Sequence, residues 1–347
     1  MSCPNPIHCI LPPHVLDHMA NSDIPAVRKL AIEAIARSAT LRAVRTTLAH
    51  VSAMSALPSP EGKKDRLVYD ARKLGSSHLP GKLVRREGSV RSLDPAVNEA
   101  YDYAGTTYDF YLKLFQRNSL DGRGMTLVSS VHVGRNFNNA FWNGEQMAYG
   151  DGDGSMFVRF TKSLDVVGHE LTHGVVTHTC NLDYLNESGA LNEHFADVFG
   201  VLIKQWKKKQ TAAKADWLIG AEIMGPGTKA KALRTFKDGL AYENDAAMGT
   251  DPQPKHLSRK YKGNADSGGV HINSGIPNHA FYLVATALGG NAWDKAGRIW
   301  YRTMLALNKQ SDFRQMVAMS TSSAGALFGA GSTEEKAVIK AWQAVGF

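Results

Sequence analysis

His169-Glu170-Leu171-Thr172-His173 lies inside a run, Val166 to Thr177, whose apolar spacing is helical. On a helix, residues four apart share a face, so both imidazoles can reach one metal ion. Glu170, one residue along, falls beside that ion rather than on it, where a base for metal-activated water is needed. Two histidines do not complete a catalytic zinc site, which takes three protein ligands and keeps one position for water. The motif alone is suggestive, and the rest of the chain must supply a third ligand.

Asn192-Glu193-His194-Phe195-Ala196-Asp197 opens a second strongly helical stretch, with Asn192 nineteen residues after His173. Glu193 can supply a carboxylate oxygen from a facing helix. Asp197, one turn on, can accept the outer ring N–H of a ligand histidine and fix its tautomer. His194 points to another face and is not expected to be a ligand. A third cluster is Asp266-Ser267-Gly268-Gly269-Val270-His271. Its glycines place His271 in a tight loop, where it serves either a cleft or a purely structural purpose.

The surroundings bound the function. The chain has 347 residues, 43% hydrophobic and 21% charged, an ordinary globular composition that excludes a disordered chain. A net charge of +8 is spread along the sequence, and the basic run Lys204 to Lys209 reads as a solvated helix face rather than a nucleic-acid footprint. Cys3, Cys9 and Cys180 are too few for a disulfide framework. No apolar run approaches the ~18 residues of a membrane span. The first twenty residues carry Pro4, Pro6, Pro12 and Pro13 without a basic start or a continuous apolar stretch. The expectation is no secretory signal peptide and synthesis in the cytoplasm, with a signal-independent export route left open.

An amphipathic helix is expected around Val27 to Ile35 and another from Leu41 to Val51, followed by an exposed linker at Pro58 to Lys64. A piece of about 55 residues is small for its own core, so it should dock on the remainder. Residues 65–163 read as strand-rich, with a strand near Thr126 to Val133 and a helix near Asn98 to Asn118. Helices dominate afterwards, at Ala190 to Lys208, Ile276 to Leu288 and Thr333 to Ala344. Strands first and helices second give an α+β arrangement in two lobes joined near residue 165.

With these clusters in order, the chain from about residue 95 to Phe347 resembles the thermolysin-like zinc metallopeptidases. Asn138-Asn139-Ala140-Phe141-Trp142-Asn143-Gly144, Gly150-Asp151-Gly152-Asp153-Gly154 and Asn186-Glu187-Ser188-Gly189-Ala190 belong to the same resemblance. It implies a two-lobed fold with zinc in the cleft, His169, His173 and Glu193 as ligands, and Asn192 and Asp197 supporting them. Glu170 would be general base for attack of zinc-bound water, with Tyr184 and His271 stabilising the oxyanion and Asp266 orienting His271. Asn139 and Ala140 would bind substrate backbone as an added edge strand, and Arg234 would hold the carbonyl beyond the scissile bond. Phe157, Phe160, Val166, Ile219 and Leu233 would line the pocket after the cut. All five are apolar, so cleavage before hydrophobic residues is expected, and the bulk of Phe160 favours Leu, Val or Ile over Phe.

Two departures refine this. Where thermolysin carries a double calcium site, Asp165 and Asp216 remain, but Lys204, Leu218 and Ala221 stand at the other positions. Calcium needs six to eight oxygen ligands, so none is expected here, and Lys204 can neutralise Asp165 directly. The short N-terminal segment with Pro12-Pro13-His14 resembles the protealysin branch, which usually has Leu at the third position. That branch implies an inhibitory propeptide over residues 1–55, then catalytic lobes over 56–180 and 181–347. Pro12, Pro13 and His14 would occupy the primed side of the cleft. His14 or Cys9 could instead reach the zinc in the latent form. The resulting expectation is a monomeric zinc endopeptidase zymogen, cut between Ala49 and Arg66, acting on peptides and on neither nucleic acid nor membrane. A catalytically silent peptide-binding homologue and a zinc exopeptidase are the alternatives.

Overall fold

The computed structural model describes residues 8–25, 27–36 and 62–347. The helix expected from Leu41 to Val51 and the 49–61 part of the maturation region lie outside the described residues. Strands β1 (His8–Cys9), β2 (Arg66–Asp70), β3 (Lys82–Arg86), β4 (Leu127–Val131), β5 (Ala140–Trp142) and β6 (Met147–Tyr149) form one sheet, ordered β1-β5-β6-β4-β2-β3. The β2–β4 and β4–β6 pairs are parallel, and the other three pairs are antiparallel. The N-terminal segment thus enters the sheet as an edge strand on β5, pairing His8 with Trp142 and Cys9 with Phe141.

Helix α1 (Pro13–Ala20) begins where the sequence reads only as rich in proline and histidine. Pro13 stands at the first helical position, where its missing N–H would have no intrahelical partner in any case. The helix then buries Val15, Leu16 and Met19. A second helix, α2, covers 27–36 and presents Val27, Ala31 and Ala34 to the core.

Helix α3 (Pro95–Phe115) starts at Asp94, whose carboxylate accepts the Ala96 N–H, with Pro95 again at the first position. His132 ties this start to the sheet. Its Nε2 lies 2.7 Å from Asp94 and its Nδ1 2.8 Å from Asp151. Hydrogen bonding to Asp151, against a smaller opposing effect of burial, raises its pKa to about 9. The neighbouring Asp153 accepts the Ser155 and Met156 N–H groups and the Asn138 side chain, which gives the Gly-Asp-Gly-Asp-Gly stretch a structural purpose.

Helices α4 (Leu164–Thr177) and α5 (Asn186–Lys208) form the buried centre of the molecule. They approach closely because glycines meet at their crossing. A Cβ on Gly200 would lie 2.7 Å from the Asp165 carbonyl oxygen and 3.1 Å from the His169 nitrogen, and one on Gly168 would lie 3.3 Å from the Gly200 Cα. That backbone contact sets the 169–173 face of α4 against the 193–197 face of α5. Beyond them lie β7 (Leu218–Ile219), paired with β8 (Arg234–Thr235), and then α6 (Ala265–Asn273), α7 (Gly275–Leu288), α8 (Ala296–Ala306), α9 (Phe313–Phe328) and α10 (Thr333–Ala344). The expected α+β fold is present, with a strand-rich N-terminal part and a helical C-terminal part. Helices α8 and α9 are additional to those read from the sequence. No described helix is long and apolar enough to cross a membrane.

Candidate metal centre and cleft

His169, His173 and Glu193 are fully buried and bring their ligating atoms within 4.8 Å of one another. The tautomers follow from the outer ring nitrogens. His169 Nδ1 lies 2.9 Å from Asp197 Oδ1, and His173 Nδ1 lies 2.8 Å from Asn192 Oδ1. Both Nδ1 atoms therefore carry the proton, which leaves the two Nε2 lone pairs facing each other at 3.1 Å. Glu193 oxygens stand 3.5 Å from each. Burial pulls His169 down to about 4 and His173 down to about 3, so both rings are neutral at pH 7. Three acceptors converging without a proton between them repel one another unless a cation binds, and this donor set suits zinc.

Asp197 is held as firmly as it holds His169. Arg234 donates from Nε at 2.9 Å and from Nη2 at 2.8 Å, and Asn278 donates at 2.9 Å. Burial alone would raise this carboxyl, but the Arg234 charge and His169 hold it well below the usual range. Asn278, which also bonds His194 Nδ1 at 2.7 Å, carries no sequence signal that marks it out.

Glu170 is fully buried one residue from His169. Its Oε2 accepts the Trp142 N–H at 3.0 Å, while Oε1 has no hydrogen-bond partner among the described residues. Burial, then the charge of Glu193, raises its pKa well above the ordinary value. Opposite it, Tyr184 Oη donates to Glu193 Oε1 and lies 3.1 Å from His271 Nε2. His271 Nδ1 sits 2.7 Å from Asp266 Oδ1. Burial opposes its charge, but Asp266 and then Glu193 raise it to about 9, so it is protonated at neutral pH. Burial keeps the Tyr184 hydroxyl neutral.

The glycine-flanked loop proves to be a left-handed run, Asp266 to Gly269, with φ from 52° to 85°. It leads directly into helical turns that carry His271. Two glycines supply half of that run without a steric penalty, and the resulting curl folds Asp266 back onto His271.

The N-terminal segment crosses this cleft. The Ile10 N–H donates to the Ala140 carbonyl at 3.2 Å, and the Leu11 N–H donates to Asn139 Oδ1 at 3.1 Å. Arg234 Nη1 donates to the Ile10 carbonyl at 3.0 Å, and His271 Nε2 donates to the Cys9 carbonyl at 3.1 Å. Ile10 is fully buried, as are Phe157, Phe160, Val166, Ile219 and, very nearly, Leu233, all within the one large hydrophobic core. The hydrogen bonds to Asn139, Ala140, Arg234 and His271 therefore come from Cys9 to Leu11, just ahead of the expected Pro12, Pro13 and His14. His14 Nε2 lies 2.9 Å from the Tyr242 hydroxyl, and neither His14 nor Cys9 joins the group of potential ligands.

At the position where thermolysin is expected to carry its double calcium site, Lys204 Nζ lies 2.7 Å from Asp165, 3.0 Å from Asp216 and 2.6 Å from the Leu218 carbonyl.

Family models for the thermolysin metallopeptidase catalytic domain and for its alpha-helical domain match residues 60–177 and 180–347. The chain belongs to the thermolysin metallopeptidase family. It is 44% identical to an extracellular metalloprotease from Pectobacterium carotovorum subsp. carotovorum, over 98% of this chain and 96% of that one. It is 47% identical to protease PrtS from Photorhabdus sp. (strain Az29), over 81% and 76% respectively. Its fold matches the precursor of protealysin, a metalloproteinase from Serratia proteamaculans, with a TM-score of 0.88 and 43% identity, covering 98% and 99% of the two chains.

Proposed function

We propose that this chain is the zymogen of a zinc endopeptidase that cuts on the amino side of hydrophobic residues. The convergence of His169 Nε2, His173 Nε2 and the Glu193 carboxylate beside Glu170 carries the reading. Zinc bound there supplies Lewis-acid polarisation of the peptide carbonyl and acidifies water. Glu170, anchored through Oε2, offers Oε1 to take a proton from the attacking water and pass it to the departing amine. Tyr184 and protonated His271 donate hydrogen bonds to the carbonyl oxygen as it gains charge, worth roughly 2.7–4 kcal/mol per donor in comparable sites. Asp266 fixes the His271 ring, and Asp197 with Asn192 fixes the ligand rings. Asn139 and Ala140 pair with substrate backbone, and Arg234 holds the next carbonyl.

Phe157, Phe160, Val166, Ile219 and Leu233 form the apolar pocket that selects the residue after the cut, and buried Ile10 supports that preference. Residues 1–55 act as propeptide, with Cys9–Leu11 filling the cleft until the linker is cut. Lobes 56–180 and 181–347 then form the mature monomer. The Lys204 ammonium stands in for calcium beside the catalytic helix, so no calcium is needed there. End-blocked, internally quenched peptides that vary the residue after the cut provide the test. Turnover should favour Leu, Val and Ile, stop with a chelator and return with zinc. A preference for charged residues, or chelator-resistant turnover, would sink the reading.

A further inference from the structure

We infer that the Cys9–Ile10 peptide bond of this chain is itself a substrate, cut by the cleft in which it lies. The inference rests on the proposed endopeptidase activity and adds a particular bond to it. Four backbone contacts fix the register across that bond. The Cys9 carbonyl receives the His271 Nε2 proton, the Ile10 N–H meets the Ala140 carbonyl, the Ile10 carbonyl receives Arg234, and the Leu11 N–H meets Asn139. Of the two successive carbonyls, Cys9's faces His271, one of the donors that would stabilise an oxyanion, and Ile10's faces the guanidinium that positions the chain. On the far side, His8 and Cys9 pair with Trp142 and Phe141, so the strand is held on both sides of the bond.

A segment serving only as a plug would have no reason to aim a carbonyl at those donors. It could run in the reverse direction or place proline at the bond. Here neither Cys9 nor Ile10 is proline, the next proline downstream is Pro12, and the residue after the bond is a fully buried aliphatic one. Water adds OH to the Cys9 carbonyl carbon, the C–N bond breaks, and Ile10 nitrogen leaves as an amine with the second proton. The products are Met1–Cys9 and a chain that begins at Ile10. Because the bond is already bound within the same molecule, the reaction is first order and independent of protein concentration. The new chain keeps its Arg234, Asn139 and Ala140 contacts, so a second cut in the linker is still needed to open the cleft.

Full-length protein prepared with chelator is started with zinc in water enriched in oxygen-18 and followed by intact mass, beside a quenched reference peptide in the same tube. Loss of Met1–Cys9 with one heavy oxygen in its new carboxylate is expected, at a rate unchanged by tenfold dilution. Glu170→Ala should keep the bond, and Ile10→Asp should abolish this cut while leaving the linker cut detectable. Hydrolysis of the reference peptide with Cys9–Ile10 intact in both the full-length chain and any released propeptide would overturn the inference alone. Failure to hydrolyse the reference peptide would overturn the endopeptidase reading and this inference with it.

Discussion

Asp197 Oδ1 stands 2.9 Å from His169 Nδ1, while Arg234 binds the same carboxylate through Nε and Nη2. One buried carboxylate thus orients a ligand imidazole and neutralises the guanidinium that grips backbone in the cleft. Asp197→Asn keeps the shape but removes the charge. Supporting groups of this kind change metal affinity by roughly 10–100-fold. Zinc affinity should fall within that range by competition with a chromogenic chelator. Arg234, left buried without its counter-charge, should destabilise the fold by about 3–5 kcal/mol in urea. Unchanged affinity would mean that Asn192 and packing alone hold the imidazoles.

Lys204 and Asp165 are 2% and 1% exposed, and their charges meet at 2.7 Å. Burial works against the lysine charge, yet Asp165 and Asp216 raise its pKa above the ordinary value. Lys204→Ala leaves the buried Asp165 charge with only the Ser163 hydroxyl and the Gly220 N–H as partners among the described residues, so a loss of about 3–5 kcal/mol is expected. Added calcium should leave the melting temperature of the zinc-loaded wild type unchanged. A rise of several degrees with millimolar calcium would show that the lysine does not replace the ion.

His132 offers a pH test away from the metal centre. Its folded pKa of about 9 exceeds the unfolded value of 6.5, so the folded state binds the extra proton. The stabilisation is fully present below pH 6.5 and is lost as pH rises through about 9. Asp94 and Asp151 are partly exposed, so solvent screening limits the effect to about 1–2 kcal/mol. Urea midpoints of wild type and His132→Gln should differ by that amount at pH 6 and converge by about pH 10. A gap that widened with pH would refute the assigned charge state.

The metal centre was legible because helical periodicity converts sequence spacing into geometry. His169 and His173 share a face by construction, and Glu193 with Asp197 repeats the pattern one helix later. What stayed hidden depends on contacts between distant parts of the chain. Asn278 reaches Asp197 from α7, eighty-one residues away, and nothing local marks it. The β1–β5 pairing joins residues more than 130 apart, so nothing local marks Cys9-Ile10-Leu11 as the segment that bonds Asn139, Ala140, Arg234 and His271. Pro13 illustrates a second limit, because proline breaks a helix in its interior but suits its first turn. The left-handed run before His271 likewise read as a loop, although it folds directly into a helix.

Gly200 tests the claim that helix approach sets the ligand geometry. Alanine at an exposed helix interior position normally gains about 1 kcal/mol over glycine. Here the added Cβ would meet the Asp165 carbonyl at 2.7 Å and the His169 nitrogen at 3.1 Å, both backbone atoms of α4. Backbone cannot rotate aside as a side chain can, so α4 must move away from α5, at a cost of typically 1–3 kcal/mol. The steric cost equals or exceeds the propensity gain, and Gly200→Ala should come out destabilised by up to about 2 kcal/mol in urea. Displacing His169 relative to Glu193 should also weaken zinc binding, which competition with a chelator reads directly. A stabilised variant with undiminished zinc affinity would show that the two helices can separate without disturbing the three ligands.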